Sequence, residues 1–177
     1  MATQSQLTAK PDFDKVWLMF QETDKKFQET DKKLNKLEHL FTSQWGKFVE
    51  SLVEGDLINM LNNRGIKVNQ TATRVKGFHK DRQYEFDIIA ENGVEVVIVE
   101  VKTTLRPDDI TEFLDELSEF KSVLPKYGKN KIYGAVAYIT EDGGSATMAS
   151  RKGLFTIKAT GKSASITNIK NFKPKEY

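Results

Sequence analysis

Three charged residues near a predicted buried strand have the types and the spacing for metal-dependent chemistry. The run 94–101 is mostly apolar, with valines and an isoleucine at both odd and even positions, so it is predicted to be a central strand buried on both faces. Glu100 and Lys102 lie two residues apart at its end and therefore share one face. A buried carboxylate and ammonium are costly unless they pair with each other, with a metal ion or with a charged ligand. Asp87, on the preceding apolar run, supplies a second carboxylate.

A predicted hairpin brings Asp87 towards Glu100. Asn92-Gly93 is a strong two-residue turn signal between the two apolar runs. A loop centred there places Asp87 opposite Ile98, on the face of Glu100 and diagonal to it, at about 7–8 Å between backbones. A three-residue loop without a bulge would instead turn Asp87 to the other face. The hairpin therefore predicts two carboxylates that converge on one cation, provided that the turn has two residues.

The composition leaves carboxylates and lysines as the groups that could do chemistry. The chain has no cysteine, which excludes disulfides, thiolate zinc sites and cysteine nucleophiles. Its two histidines, His39 and His79, lie far apart in unlike contexts and do not form a ligand pair. Neither an apolar stretch of membrane-spanning length nor a signal peptide occurs, so we expect a soluble, cytoplasmic protein without a membrane partner.

Charge is distributed unevenly along the chain. The formal net charge is +2, but residues 121–177 hold eleven lysines and arginines against three acids, a net charge of +8. The first 120 residues hold the compensating −6. A basic third beside an acidic centre suits a polyanion such as DNA that must approach a carboxylate cluster. An ordinary solvated lysine surface is the alternative interpretation.

The N-terminal segment repeats every seven residues, which predicts a coiled coil. Residues 20–26 recur identically as 27–33, with aspartates at heptad position e and lysines at g, the charge pattern that joins parallel helices. We expect residues 1–45 to form an oligomerisation helix, in a dimer or tetramer, and 46–177 to form a second domain. An amphipathic helix packed on its own domain is the alternative, although the strict period of seven favours self-association. The apolar residues at position a are Phe13, Phe20, Phe27, Leu34, Phe41 and Phe48.

The remaining pattern predicts an α/β sandwich. A wide apolar face indicates a globular helix that ends at Asn63-Arg64-Gly65, and Pro107 opens a second helix. The resulting order of helices and strands predicts a central mixed β-sheet, preceded by the long coiled-coil helix. The predicted strands are 66–75, 84–90, 94–101, 131–140, 154–158 and 165–169, with a short helix at 145–151.

The stretch from Glu85-Phe86-Asp87 to Glu100-Val101-Lys102 resembles the signature of the PD-(D/E)XK nuclease superfamily, which has the restriction-endonuclease-like fold. It is especially similar to archaeal Holliday-junction resolvases and to small families that join this core to a coiled coil. The resemblance covers residues 47–160, so the heptads lie outside it. Phe86 stands where the name-giving proline would be, a departure that is frequent in the superfamily.

The resemblance implies a role for each residue of the signature. Asp87, Glu100 and the backbone carbonyl of Val101 would bind Mg²⁺ or Mn²⁺, and Lys102 would orient the attacking water or offset charge on the phosphate. Many members add a glutamate from the first helix. Glu54 stands eleven residues before Gly65, as in the resolvases, and is preferred over Glu50 as a further metal ligand.

Together these observations predict a Mg²⁺-dependent endonuclease that hydrolyses DNA phosphodiester bonds and is oligomerised by its coiled coil. The alternative is a catalytically silent nuclease fold that serves as a DNA-binding or assembly module. For Glu100 and Lys102 themselves, a simple structural ion pair is the alternative interpretation.

Overall fold

The computed structural model describes residues 13–160 and 162–177 of a chain that divides into two compact units, Met1–Thr42 and Ser43–Tyr177. The described part of the first unit lies in helix α1, Phe13–Asn62. Three heptad side chains on it are exposed: Phe20 by 64%, Phe27 by 65% and Leu34 by 57%. Of the predicted coiled coil, residues 1–12 and the side chains of Phe13 and Phe41 lie outside the described residues, and self-association stays a prediction.

The second unit contains a six-stranded mixed sheet, in agreement with the predicted α/β class. The strands lie in chain order across the sheet; β3, β4 and β5 run parallel, and the remaining neighbours are antiparallel. No helix within the described ranges is long and apolar enough to span a bilayer. The strands are β1 Gln70–His79, β2 Arg82–Glu91, β3 Glu95–Leu105, β4 Lys131–Glu141, β5 Phe155–Ala159 and β6 Ala164–Ile166; the helices are α2 Pro107–Val123, α3 Ser145–Arg151 and a 3-10 turn, Pro125–Tyr127.

Strand β3 separates two hydrophobic cores, as its alternation predicted. Val97 and Val99 face the end of α1, whereas Val96 and Ile98 face α2. All four side chains are at most 1% exposed. Because helices cover both faces, β3 is a buried central strand, and a polar residue on it must find a partner inside the protein.

Helix α1 ends where the sequence predicted. Gly65 has a φ of +89°, a backbone conformation that glycine adopts without a side-chain clash. The N–H of Ile66 bonds to the carbonyl of Leu61 at 3.1 Å, and that of Gly65 bonds to the carbonyl of Asn62 at 3.2 Å. This pair of bonds is a Schellman motif, which satisfies the last helical carbonyls and turns the chain towards β1.

The prediction of the first strand at 66–75 is wrong by four residues. Ile66 and Val68 are buried beside α1 as part of the connection, and the strand runs instead from Gln70 to His79. The turn that follows it is Lys80-Asp81, with φ values of +47° and +63°. That backbone is typical of a two-residue hairpin turn. Because lysine is not a typical residue of such turns, the sequence did not indicate that β1 and β2 extend as far as this turn.

Candidate active site

The β2–β3 hairpin has a turn one residue later than predicted, and this changes its register by two. Gly93 and Val94 are the central turn residues, because the N–H of Asn92 bonds to the carbonyl of Glu95 at 3.2 Å. Gly93 has a φ of +84°, as the first position of a type II′ turn requires. The predicted pairing of Asp87 with Ile98 is therefore wrong. Ile98 pairs with Ile89, and a shift of two residues preserves the face of each side chain.

The β2–β3 ladder stops beside the predicted site. Its last pair is Ile88 with Val99, after which β2 pairs only with β1, and β3 only with β4. Continued by one residue, the same register places Asp87 opposite Glu100. The N–H of Val101, which would otherwise reach the carbonyl of Phe86, donates to Oδ2 of Asp87 at 2.8 Å. We call this point of separation the fork.

Two further groups of β3 complete the fork. The N–H and carbonyl of a strand residue point to the same side, so the Val101 carbonyl faces the fork along with its N–H. Lys102 Nζ lies 2.9 Å from Glu100 Oε1 and 3.7 Å from Asp109 Oδ1, in the first turn of α2. The structure thus brings together Asp87, Glu100, Val101 and Lys102, and their roles as catalytic residues and metal ligands stay predictions.

Burial and like charge destabilise the ionised carboxylates of the fork. Burial, followed by the nearby Glu100 carboxylate, raises the pKa of Asp87 to about 7. Burial also raises the pKa of Glu100, although Lys102 opposes this effect. Burial alone would lower the pKa of Lys102, but the carboxylates of Glu100, Asp109 and Asp87 together outweigh burial and raise that pKa. One ammonium group does not fully offset the two carboxylates, so the fork favours an additional positive charge.

The glutamates of α1 are placed differently from the prediction. Glu54, the preferred candidate, accepts a hydrogen bond from the Thr71 hydroxyl at 3.0 Å. Glu50 instead lies close enough to raise the pKa of Asp87. Among the described residues no three acids or histidines are grouped to hold one ion, so Glu54 does not join Asp87 and Glu100 in this structure. Its role as a metal ligand stays a prediction.

Arg74 is a residue of the site that the sequence did not reveal. Its guanidinium donates two hydrogen bonds to the Glu50 carboxylate in a bidentate ion pair, from Nε at 2.8 Å and from Nη2 at 3.0 Å. It also has a φ of +52° in the middle of β1, where the ladder skips the position facing Asp87. Arginine seldom adopts this conformation, so no pattern could have identified it. Strained residues of this kind cluster at functional sites.

The region around the fork is similar in sequence to a known protein family. The family model of a domain of unknown function, DUF8196, matches residues 56–166, which include the whole fork. No curated protein matches the chain.

Three solved structures match part of this chain at low identity. A repair endonuclease from Pyrococcus abyssi is 18% identical over 60% of this chain and 46% of its own, with a TM-score of 0.40. A complex of EndoMS with double-stranded DNA is 12% identical over 66% of this chain and 45% of its own, with a TM-score of 0.39. A protein of unknown function is 16% identical over 56% and 53%, with a TM-score of 0.38. The chain therefore spans about half the length of these proteins.

Proposed function

The chain belongs to the DUF8196 family, and we propose that it is a metal-dependent endonuclease that hydrolyses DNA phosphodiester bonds. The observation that supports this function best is the fork itself. Two carboxylates from neighbouring strands face each other where the ladder stops, and a lysine lies 2.9 Å from one of them. Such a set is expensive to bury for structure alone, since an apolar ladder could simply continue there.

The residues of the fork fit Mg²⁺ or Mn²⁺. Asp87, Glu100 and the Val101 carbonyl offer only oxygen donors, which hard cations prefer. The pKa values of both carboxyls are raised, chiefly by burial, so a cation bound between them would stabilise their ionised forms. Mg²⁺ typically uses one or two carboxylates and keeps water or substrate phosphate in its other positions, so two acids suffice.

Each residue of the fork has a distinct task in hydrolysis. A bound divalent ion supplies Lewis acidity and makes water a nucleophile at neutral pH. The Val101 N–H fixes Asp87 at 2.8 Å, and Glu100 fixes the Lys102 ammonium at 2.9 Å. Lys102 orients the attacking water and offsets the negative charge that grows on the phosphate as the P–O bond to the sugar breaks. Asp109 limits how far Lys102 can swing, since it lies 3.7 Å from Nζ.

The charge distribution favours a polyanionic substrate. Residues 121–177, with their net charge of +8, contain strands β4, β5 and β6, which belong to the same sheet as the fork. Contacts between basic side chains and phosphates supply the sequence-independent part of a protein's affinity for DNA.

Self-association through the heptads would pair two forks. In a parallel pair of helices, each g residue faces the following e residue of the other copy. Lys26 at g would therefore face Asp31 at e. The exposed phenylalanines at 20 and 27 are the surface that such a copy would cover. Two sites in one assembly suit cleavage of both strands of a duplex or a branched junction.

Cleavage assays test the nuclease proposal. Supercoiled, linear, single-stranded and branched DNA are incubated with Mg²⁺, Mn²⁺ or EDTA, and we expect cleavage with either metal and none with EDTA. Asp87→Asn, Glu100→Gln and Lys102→Met should each abolish it. Glu95→Gln is the matched control, because it makes the same change at the opposite end of β3. Cleavage that persists in Asp87→Asn would contradict the proposal.

The second candidate is a DNA-binding module that has no catalysis. The short Glu100–Lys102 ion pair favours it, because the two charges already satisfy each other. Calorimetry with Mn²⁺ separates the two functions. Salt-sensitive DNA binding without any metal binding would support the module, whereas metal binding that is lost in Asp87→Asn supports the nuclease.

A further inference from the structure

The β1–β2 hairpin extends beyond the fork as a two-stranded ribbon. Residues 75–79 of β1 pair with residues 82–86 of β2, and β2 has no partner on its other side along this length, within the described residues. We call residues 75–86 the ribbon. Its base is fixed to the domain, because Phe86 packs edge-on against Phe120 of α2 at a centroid distance of 5.0 Å.

The ribbon has a defined register and is not a loose loop. The tight turn Lys80-Asp81 joins its two strands. Tyr84 lies directly across Gly77, where any Cβ would overlap the tyrosine ring. Tyr84 also contacts Phe86 at 5.6 Å between ring centroids. One face of the ribbon is thus committed to internal packing.

The other face of the ribbon presents an unpartnered aromatic ring among cations. Phe78 is 80% exposed, more than any other large apolar side chain of the described residues. Lys76 lies on the same face, and Lys80 adjoins Phe78 in the turn. Arg82, opposite His79, is exposed on the other face close to the tip of the ribbon. Lys76 is paired with Glu85 at 2.9 Å, so it holds the ribbon face together and leaves Lys80 and Arg82 for an external anion. An exposed apolar ring with lysine beside it suits duplex DNA, since apolar groups contact base edges in the major groove and cations contact phosphates.

The reach of the ribbon fits a duplex engaged at the fork. Arg82 lies five positions before Asp87, about 17 Å along a strand. This is about half of a helical turn of B-DNA, whose full turn is about 34 Å. A two-stranded ribbon also has the width that the major groove admits.

We propose that the ribbon is a DNA-binding arm that enters a groove of duplex DNA beside the fork, with Phe78 against the bases and Lys80 and Arg82 against phosphates. The proposal rests on the proposed DNA-directed function of the fork, but it concerns binding and not cleavage. It assigns to residues 75–86 the positioning of the scissile phosphate.

Binding without divalent metal tests the arm separately from the chemistry. Fluorescence anisotropy of a labelled duplex is measured in EDTA over a series of salt concentrations. We expect Phe78→Ser to raise Kd about tenfold, because the apolar contact of the ring with base edges in the groove is lost. Lys80→Gln and Arg82→Gln should each weaken binding and lower the salt slope by about one.

Matched controls lie at the opposite end of the same strands. Val94→Ser removes an apolar side chain that is 63% exposed, and Lys67→Gln removes an exposed lysine near the start of β1. Both should bind DNA as the unchanged protein does. Circular dichroism and a thermal melt verify that each variant folds.

Three results would contradict the proposal that the ribbon binds DNA. The first is an unchanged Kd in Phe78→Ser, and the second is an equal loss of binding in Val94→Ser. The third is a changed sedimentation coefficient of Phe78→Ser with DNA binding intact, which would make the ring a contact with another protein chain. Failure of the nuclease proposal gives a different result, since the unchanged protein would then not cleave with metal while the ribbon variants still lose binding in EDTA.

Discussion

The Asp87 carboxylate accepts a hydrogen bond from the Val101 N–H at 2.8 Å. It replaces the backbone carbonyl that would accept this bond if the β2–β3 ladder continued. A side chain thus closes the ladder at the point where the strands separate. The same contact holds Asp87 opposite Glu100, so the bond that ends the sheet pairing also sets the spacing of the two carboxylates.

The pH dependence of stability should report the burial of Asp87. Its pKa is raised from 3.8 to about 7 in the folded protein, so the folded state keeps a proton that the unfolded chain has released. The free energy of unfolding should therefore fall as pH rises from about 4 to about 7, by up to about 4 kcal/mol. Urea unfolding at about pH 5 and about pH 8 in EDTA measures this. Asp87→Asn should flatten the slope, and an equal slope in both proteins would refute the expectation.

Divalent metal should stabilise the protein at neutral pH. Mg²⁺ at one hundred times its Kd adds about 2.7 kcal/mol if it binds only the folded state. We expect a higher melting temperature with Mg²⁺ or Mn²⁺ than with EDTA, and no such rise in Glu100→Gln. Glu95→Gln should respond as the unchanged protein does. A rise that survives in Glu100→Gln would place the metal elsewhere.

The two glutamates of α1 should differ in their effect on activity. Glu50 acts on Asp87 and anchors Arg74, whereas Glu54 bonds to Thr71. We expect Glu50→Gln to slow DNA cleavage by at least about tenfold, the scale of a supporting contact around a metal site. Glu54→Gln should have a smaller effect. The reverse order in a cleavage time course would restore Glu54 as the ligand that the sequence favoured.

Two glycine substitutions should shift stability in opposite directions. A methyl group at Gly134 of β4 would overlap Leu117 and Leu154, whereas one at Gly55 of α1 meets nothing within 4 Å. Gly134→Ala should therefore lower the free energy of unfolding by about 1–3 kcal/mol. Gly55→Ala should raise it by about 0.5–1 kcal/mol, because alanine favours a helix. Urea denaturation measures both, and a stable Gly134→Ala would show that the α2 side of the core is loosely packed.

The heptads should determine the oligomeric state. Phe27→Ser with Leu34→Ser removes two exposed residues of the apolar stripe and should reduce the sedimentation coefficient of the full chain. Lys25→Gln, at the outer position f, should leave it unchanged. A monomeric unchanged protein would exclude self-association through this helix.

The fold and the fork were predictable to different degrees. The buried valines of β3, the stop at Gly65 and the proline that opens α2 are local signals, and each gave the correct element. The β2–β3 turn was misplaced by one residue, because Asn92 fits a turn centre but instead accepts the N–H groups of Val94 and Glu95. The sequence still placed Asp87 on the correct face, since the resulting shift was even. The Glu50–Arg74 pair joins residues 24 apart through tertiary packing, which no local pattern encodes.

The conformation of Arg74 also affects how the sheet meets its surroundings. Strand β1 is an outermost strand, and no strand among the described residues pairs with its outer side. A straight strand of that length would be a template for pairing with β-strands of other molecules, a route to aggregation. The positive φ of Arg74 turns the backbone out of line midway along the strand. We therefore expect the residue that contacts Glu50 also to interrupt the sheet edge and to disfavour edge-to-edge association.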